Sequence, residues 1–221
     1  MAPTNDPQVL LSDPTVDPSA ARRLLGEAIA GRELARLALR SPWLARAPRG
    51  HGEPVILLPG LGASDASNAA LRGYLRGLGY DAHGWGLGRN RGDVRGMVPE
   101  VERLAVRLAE RRDGRVHLVG WSLGGVIARG VARRRPDLVT QVITYGSPVL
   151  DRGLGVVSVP ITAIHSRGDG IVPWRSCIDD VSPDVENIEV QSAHLGMGID
   201  PDVWRIVTDR LARATRHPAP T

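Results

Sequence analysis

Apolar positions in this chain fall into two patterns that alternate from residue 54 onward. Short apolar runs, led by the unbroken Pro54-Val55-Ile56-Leu57-Leu58 and by Arg115-Val116-His117-Leu118-Val119, suit strands buried on both faces. Between them the apolar residues recur at helical spacing. The pattern predicts strands near 54–58, 79–84, 115–119, 140–145, 159–165 and 187–191, and helices near 66–78, 97–112, 124–135 and 201–214. Strand and helix in strict alternation signal a mostly parallel sheet of about six strands, with helices on both faces joined by right-handed crossovers. Upstream, residues 1–17 are rich in Pro and Asp and are expected to be flexible. Asp17-Pro18-Ser19 reads as a helix start, followed at helical spacing by Leu24, Leu25, Ala28, Ile29, Leu34, Ala35, Ala38 and Leu39. Gly26 and Gly31 weaken that helix, and Ser41-Pro42-Trp43 and Pro48-Arg49-Gly50 break it. The chain therefore divides into residues 1–50, a flexible N-terminus plus helical extension, and residues 51–221, the α/β domain. The extension is expected to pack on the edge of the core; a lid or a dimer contact is the functional alternative.

Composition narrows the class without naming a function. At 221 residues, 42% hydrophobic and 24% charged, the chain can bury one substantial core. It holds no Phe, so the core is built from Leu, Val, Ile and Ala. It holds no Lys either, so all 28 basic residues are Arg, although the net charge is only +4. The arginines are dispersed, with neither the basic stripe nor the interleaved aromatics of a nucleic-acid binder, so no nucleic-acid partner is expected. Cys177 is the single cysteine, which excludes an internal disulfide. No metal-ligand spacing is recognisable among the histidines and acids, and no metal is expected. The first residues lack a basic stretch followed by an apolar one, and no run approaches the ~18 apolar residues of a membrane span. A cytoplasmic protein without stable membrane insertion is the expectation.

Chemistry is concentrated in four loops that follow strands. Gly120-Trp121-Ser122-Leu123-Gly124 reads G-x-S-x-G, between an apolar strand and a small-residue helix. That context fits a turn so tight that its flanks must be nearly free of side chains, with the Ser122 hydroxyl projecting from its tip. A serine needs a base, and the base needs an orienting acid. Asp169 follows the strand ending at His165, in Ser166-Arg167-Gly168-Asp169-Gly170-Ile171-Val172-Pro173. His194 follows the last strand, in Ser192-Ala193-His194-Leu195-Gly196-Met197. Ser122, Asp169 and His194 thus stand in the order serine, acid, histidine, each past a strand's C-terminal end, where open α/β sheets bind ligands. The first strand runs into Pro59-Gly60-Leu61-Gly62-Ala63-Ser64, and the backbone N–H groups of Leu61 and Leu123 are the expected donors to an oxyanion.

Other residues compete for these roles less well. Ser147 lacks a tight turn and is expected to line the site or cap a turn. His165 precedes the acid, and His117 lies inside a strand, so both read as structural. His83 ends a strand and could border the pocket. Asp179 and Asp180 are the runner-up acids. Gly86-Leu87-Gly88-Arg89-Asn90-Arg91-Gly92 lacks the Lys-Ser/Thr ending of a phosphate loop and reads as a turn in which Asn90 bonds local backbone.

With those motifs in order from Pro54 to Arg213, the chain resembles the α/β-hydrolase superfamily, and within it the small bacterial esterases and lipases. P-G-L-G-A-S resembles that family's oxyanion loop, G-W-S-L-G-G its nucleophile elbow, S-R-G-D-G-I-V-P its acid turn and S-A-H-L-G-M its histidine loop. The resemblance implies an α/β-hydrolase fold for residues 51–221 and hydrolysis of a small-molecule ester or lipid through an acyl-enzyme, with no cofactor. It also implies two alternatives on the same triad, an acyltransferase or a thioesterase, while a non-catalytic binding protein would keep only the scaffold. Many lipases of the family carry a histidine after the proline of the loop that reads Gly146-Ser147-Pro148-Val149 here, and this chain has none. A single cysteine likewise precludes the disulfide of some secreted members, so their calcium site and triglyceride preference are not carried over. Only ten residues, Val149 to Ser158, lie where cap domains of the family enter, so no cap domain is expected.

Overall fold

The structure is a computed structural model, and it describes residues 36, 39–40, 42–112, 114–150 and 156–216. Six strands form one parallel sheet in the spatial order β2-β1-β3-β4-β5-β6. They are β1 (Pro54–Leu58), β2 (Asp81–Gly84), β3 (Val116–Trp121), β4 (Val139–Tyr145), β5 (Ile161–His165) and β6 (Val185–Glu189). Four helices connect or follow them: α1 (Ala69–Gly77), α2 (Val94–Arg112), α3 (Leu123–Arg134) and α4 (Pro201–Arg216). The parallel sheet of six strands and its helices match the sequence expectation. Among the described residues, no helix or strand stands between β4 and β5, where a cap would enter.

Alternation of side chains along the strands sorts the core into two layers. Ile56, Leu58, Leu118 and Val142 face α2 and α3, meeting Val101, Ala105, Ile127 and Val131. Val55, Leu57, Val119 and Ile143 face the other way, against Leu71 and Leu75 of α1 and Val203, Val207 and Leu211 of α4. All these strand residues are fully buried, which is why both faces of each strand had to be apolar. The second layer also takes in Leu44 and Ala47, and the Tyr74 hydroxyl donates to Leu44 O at 2.9 Å. Of the helical extension expected over residues 19–40, Arg36, Leu39 and Arg40 are described and helical, and Arg36 pairs with Asp200 and Asp202 at 2.9 Å each; the rest lies outside the described residues, and residues 42–44 are helical where the sequence reading placed a break.

Several boundaries differ from the sequence reading by a few residues, and three of them have a clear local reason. Helix α2 begins at Val94 rather than 97, because Asp93 caps it: Asp93 Oδ1 accepts from Gly96 N at 3.0 Å. Strand β2 begins at Asp81 rather than 79, since Gly79 adopts φ +96° and its carbonyl accepts from Gly52 N. Strand β6 covers 185–189 rather than 187–191; it is an edge strand with Glu186, Asn187 and Glu189 exposed, so its apolar signal is faint.

Sheet order fixes where a site can form. From β1 the chain moves outward to β2, then returns to place β3 on the opposite side of β1. The loops leaving β1 and β3 therefore diverge, and the crevice between them is the topological switch point of the sheet.

Candidate active site

Strand β3 ends at this switch point in a turn with Ser122 at its tip. Ser122 has φ +52° and ψ −124° and is the one non-glycine residue with positive φ among the described residues. Such a conformation costs on the order of 1–3 kcal/mol and persists only where neighbours hold it. Here Ser122 N donates to Tyr145 O at 3.0 Å, and Gly125 N donates to Ser122 O at 2.9 Å. The flanking glycines are sterically required. A Cβ on Gly120 would lie 2.5 Å from Gly125 Cα, and one on Gly124 would collide with Leu58 O of β1. The same closeness packs the first turn of α3 directly against the end of β1.

Asp169 and His194 come together from two different loops. His194 Nδ1 lies 2.6 Å from Asp169 Oδ2, and both side chains are buried. Asp169 Oδ1 accepts from the backbone N–H of Ile171 at 2.9 Å and of Val172 at 2.8 Å. An ionised carboxylate so held accepts from Nδ1–H of His194, and in the neutral imidazole that tautomer leaves the lone pair on Nε2. The two loops are tied by Ser166, whose Oγ accepts from Gly168 N at 3.0 Å and from Ser192 N at 3.2 Å. Sequence reading passed over Ser166; only the adjacency of β5 and β6 gives it this role. The His194 ring lies 5.8 Å from the ring of Trp121, the residue that immediately precedes Ser122. On its other side Nδ1 lies 3.0 Å from where a Gly146 side chain would begin.

The loop leaving β1 passes over Ser122. A Cβ on Gly60 would sit 3.2 Å from Ser122 Cβ, so Leu61 follows immediately beside the serine. Leu123 is the first residue of α3, where a helix leaves its N–H without an intrahelical acceptor. Among the hydrogen bonds of the described residues, neither Leu61 N nor Leu123 N donates to a protein atom. Two free donors beside a serine at a helix N-terminus can stabilise negative charge.

The remaining candidates have other partners. Asp179 is buried against the Arg129 guanidinium and accepts from Val181 N and Ser182 N. Burial alone would raise its pKa; the Ser182 and Val181 amides and Arg129 outweigh burial and hold it at about 2. Asp180 is exposed. His117 is buried and pushed down to about 4 by desolvation, and its Nδ1 lies 3.1 Å from Gln141 Nε2, which therefore donates to it. His165 stacks on Trp174 at 6.0 Å, and burial lowers its pKa. His83 sits on edge strand β2 with Nε2 2.8 Å from Asp81. Ser147 is buried beneath α3 against Gly125. The Cys177 thiol is pushed up to about 11 by burial and then by the charge of Asp169, so it is not a thiolate at neutral pH. Among the described residues, no group of three or more His, Cys, Asp or Glu is arranged to hold a metal ion, and no helix is long and apolar enough to cross a membrane.

Comparison with known proteins places this geometry in a wider set. No family model matches the chain. A protein of Yersinia enterocolitica that bears the name "Putative carbamate hydrolase RutD" is 33% identical over 105 residues, which cover 44% of this chain and 37% of that one. The match thus spans little more than a third of that relative's length. Among solved structures, the chain is similar to one described with LipS and LipT, two metagenome-derived lipolytic enzymes (TM-score 0.60, 16% identity, 77% of this chain and 96% of that one). It is similar also to esterase PE8 (TM-score 0.58, 20% identity, 75% and 95%) and to α/β hydrolase domain-containing protein 10 from mouse (TM-score 0.56, 18% identity, 77% and 92%). The sheet order, the switch-point crevice and these structural likenesses agree: this chain has the α/β-hydrolase fold.

Proposed function

We propose that this protein is a serine hydrolase of carboxylic esters, with Ser122 as nucleophile, His194 as base and Asp169 as its orienting acid. The observation that carries the reading is the buried 2.6 Å contact between Asp169 and His194, whose ring lies against that of Trp121, the residue before the serine held at positive φ. Asp169 keeps the imidazole in the tautomer whose Nε2 can accept a proton. Ser122 Oγ attacks the ester carbonyl as that proton moves to Nε2, and the tetrahedral oxyanion takes hydrogen bonds from Leu61 N and Leu123 N. His194 then returns the proton to the leaving alcohol oxygen as the C–O bond breaks, and the acyl group stays on Ser122. Water attacks that ester with His194 again as base, which releases the acid and restores the serine. Exposed Leu61, Ile171 and Leu195 stand on three of the four loops that supply these groups, which favours an apolar acyl portion.

The partial likeness to a carbamate hydrolase supports a second substrate class, because a carbamate carbonyl offers the same electrophile to the same groups. The test is hydrolysis of p-nitrophenyl esters from acetyl to palmitoyl and of a p-nitrophenyl carbamate, each with wild type and Ser122→Ala, together with fluorophosphonate labelling. Ester turnover and labelling that vanish in Ser122→Ala are expected. Equal turnover in the two proteins would overturn the assignment. Added alcohols that divert acyl groups into new esters would shift the reading toward an acyltransferase.

A further inference from the structure

The Gly86–Gly92 loop, read from sequence as a turn, is spatially the neighbour of the loop that carries Leu61. Asn90 is fully buried there, in a segment whose flanking residues, Arg89 and Arg91, are exposed. A buried amide in a surface loop must find partners, and Asn90 finds them on the Leu61 loop. Its side-chain Nδ2 donates to Pro59 O at 2.9 Å. Its backbone N donates to Ala63 O at 2.8 Å, and its backbone O accepts from Gly62 N at 2.8 Å. Its Oδ1 accepts from Gly92 N at 3.1 Å, which fixes which way the amide faces. Three bonds therefore bracket residues 59–63 on both sides of Leu61.

A second brace acts further along the same two loops. Asp65 Oδ1 and Oδ2 accept from the backbone of Trp85 at 2.9 Å and Gly86 at 3.1 Å. Buried Trp85 donates from Nε1 to Gly88 O at 3.0 Å, which stiffens the brace itself. The Leu61 side chain leans over this structure, 3.3 Å from where a Gly92 side chain would begin.

We infer that Asn90 is a positioning residue for the oxyanion site: it sets the direction of the Leu61 N–H without touching substrate. The inference rests on the proposed serine-hydrolase reading. Its physical basis is that an oxyanion donor works only within about 2.7–3.1 Å of the developing charge, and that it must be held there before the charge forms. A loop with an exposed leucine at its tip has little packing of its own to supply that precision. The bonds from Asn90 supply it from behind.

The test compares wild type, Asn90→Asp, Asn90→Ala and the exposed-loop control Arg89→Gln. Asn90→Asp keeps the shape but turns an oxygen toward Pro59 O, so the bond becomes a repulsion. Readouts are kcat and KM for a p-nitrophenyl ester, and the inhibition constants of a trifluoromethyl ketone and of the matching ground-state amide. The ketone forms an oxyanion on Ser122, whereas the amide does not. With the Leu61 donor misplaced, kcat is expected to fall by about 10- to 100-fold, a fraction of the loss on deleting a donor outright, with little change in KM. Ketone affinity falls by the same factor, amide affinity is unchanged, and Arg89→Gln matches wild type. Asn90 variants that melt well above the assay temperature yet keep wild-type ketone affinity would overturn the inference. If the Asn90 variants do not fold, hydrogen exchange in wild type decides: protected Gly62 and Asn90 amides support the brace, and unprotected ones overturn it. Loss of labelling and turnover specificity for Ser122 in wild type itself would instead refute the serine-hydrolase reading and this inference with it.

Discussion

Replacing Asp169 by Asn probes the site through a single atom. The two backbone donors from Ile171 and Val172 converge on Oδ1, at 2.9 and 2.8 Å. In the Asn variant only the amide oxygen can take that place, since the NH2 group would face two N–H donors. The NH2 is then forced toward His194, where Oδ2 now lies 2.6 Å from Nδ1. Nδ1 must become the acceptor, so the imidazole proton moves to Nε2 and the base can no longer take a proton from Ser122. In a serine–histidine–aspartate arrangement this tautomer change costs about 10⁴-fold in kcat, equivalent to roughly 5–6 kcal/mol of barrier at about 1.4 kcal/mol per tenfold. The assay is steady-state hydrolysis of a p-nitrophenyl ester at neutral pH, with thermal melts to establish that the variant is folded. Fluorophosphonate labelling of Ser122 should slow alongside turnover, because both need the same base. A folded Asp169→Asn variant with kcat within about tenfold of wild type would refute the derivation and the role of Asp169 with it.

Four further outcomes are expected. Asp179→Ala leaves Arg129 buried without its counter-charge and should lower stability by about 3–5 kcal/mol in urea unfolding; a loss under about 1 kcal/mol would mean that the pair is not desolvated as the structure has it. His117 has a folded pKa of about 4 against an ordinary 6.5, so its contribution is complete above pH 6.5 and is lost as pH falls through 4. That loss is about 3 kcal/mol at about 1.4 kcal/mol per pKa unit, and His117→Gln should flatten the pH dependence of stability in this window. Gly124→Ala drives a methyl group into Leu58 O and should abolish soluble folded protein or ester turnover; wild-type behaviour in both would contradict the close packing of α3 on β1. Leu195→Ser with Ile171→Ser should raise KM for long-chain p-nitrophenyl esters several-fold more than for acetate, and a uniform change across the series would remove the argument for an apolar acyl portion.

The strands buried on both faces were plain from the chain because their apolar residues come in runs of strand length: Val55–Leu58 is unbroken, and Val116–Val119 is interrupted only by His117. Glycines at 120 and 124 made the turn at Ser122 legible, and positions past strand ends nominated Asp169 and His194. Edge strand β6 was blurred because half its side chains face water and carry no pattern. The cap of α2 was missed because Asp93 is one aspartate in a polar loop until its bond to Gly96 N is seen.

Local order in the chain thus dictated the strand–helix alternation, the tight turn and the sequence of chemical groups, since each depends on neighbours a few residues apart. It could not dictate which acid meets His194, because Asp169 and Asp179 both follow β5; the fold settles that by seating Asp179 on Arg129 of α3 and Asp169 on His194. Nor could it assign Ser166, which spans two loops only because β5 and β6 are paired, or Asn90, whose partners lie some 30 residues earlier in the chain. Those roles arise where separate loops meet at the sheet's edge, and such meetings are set by long-range packing rather than by any spacing written along the chain.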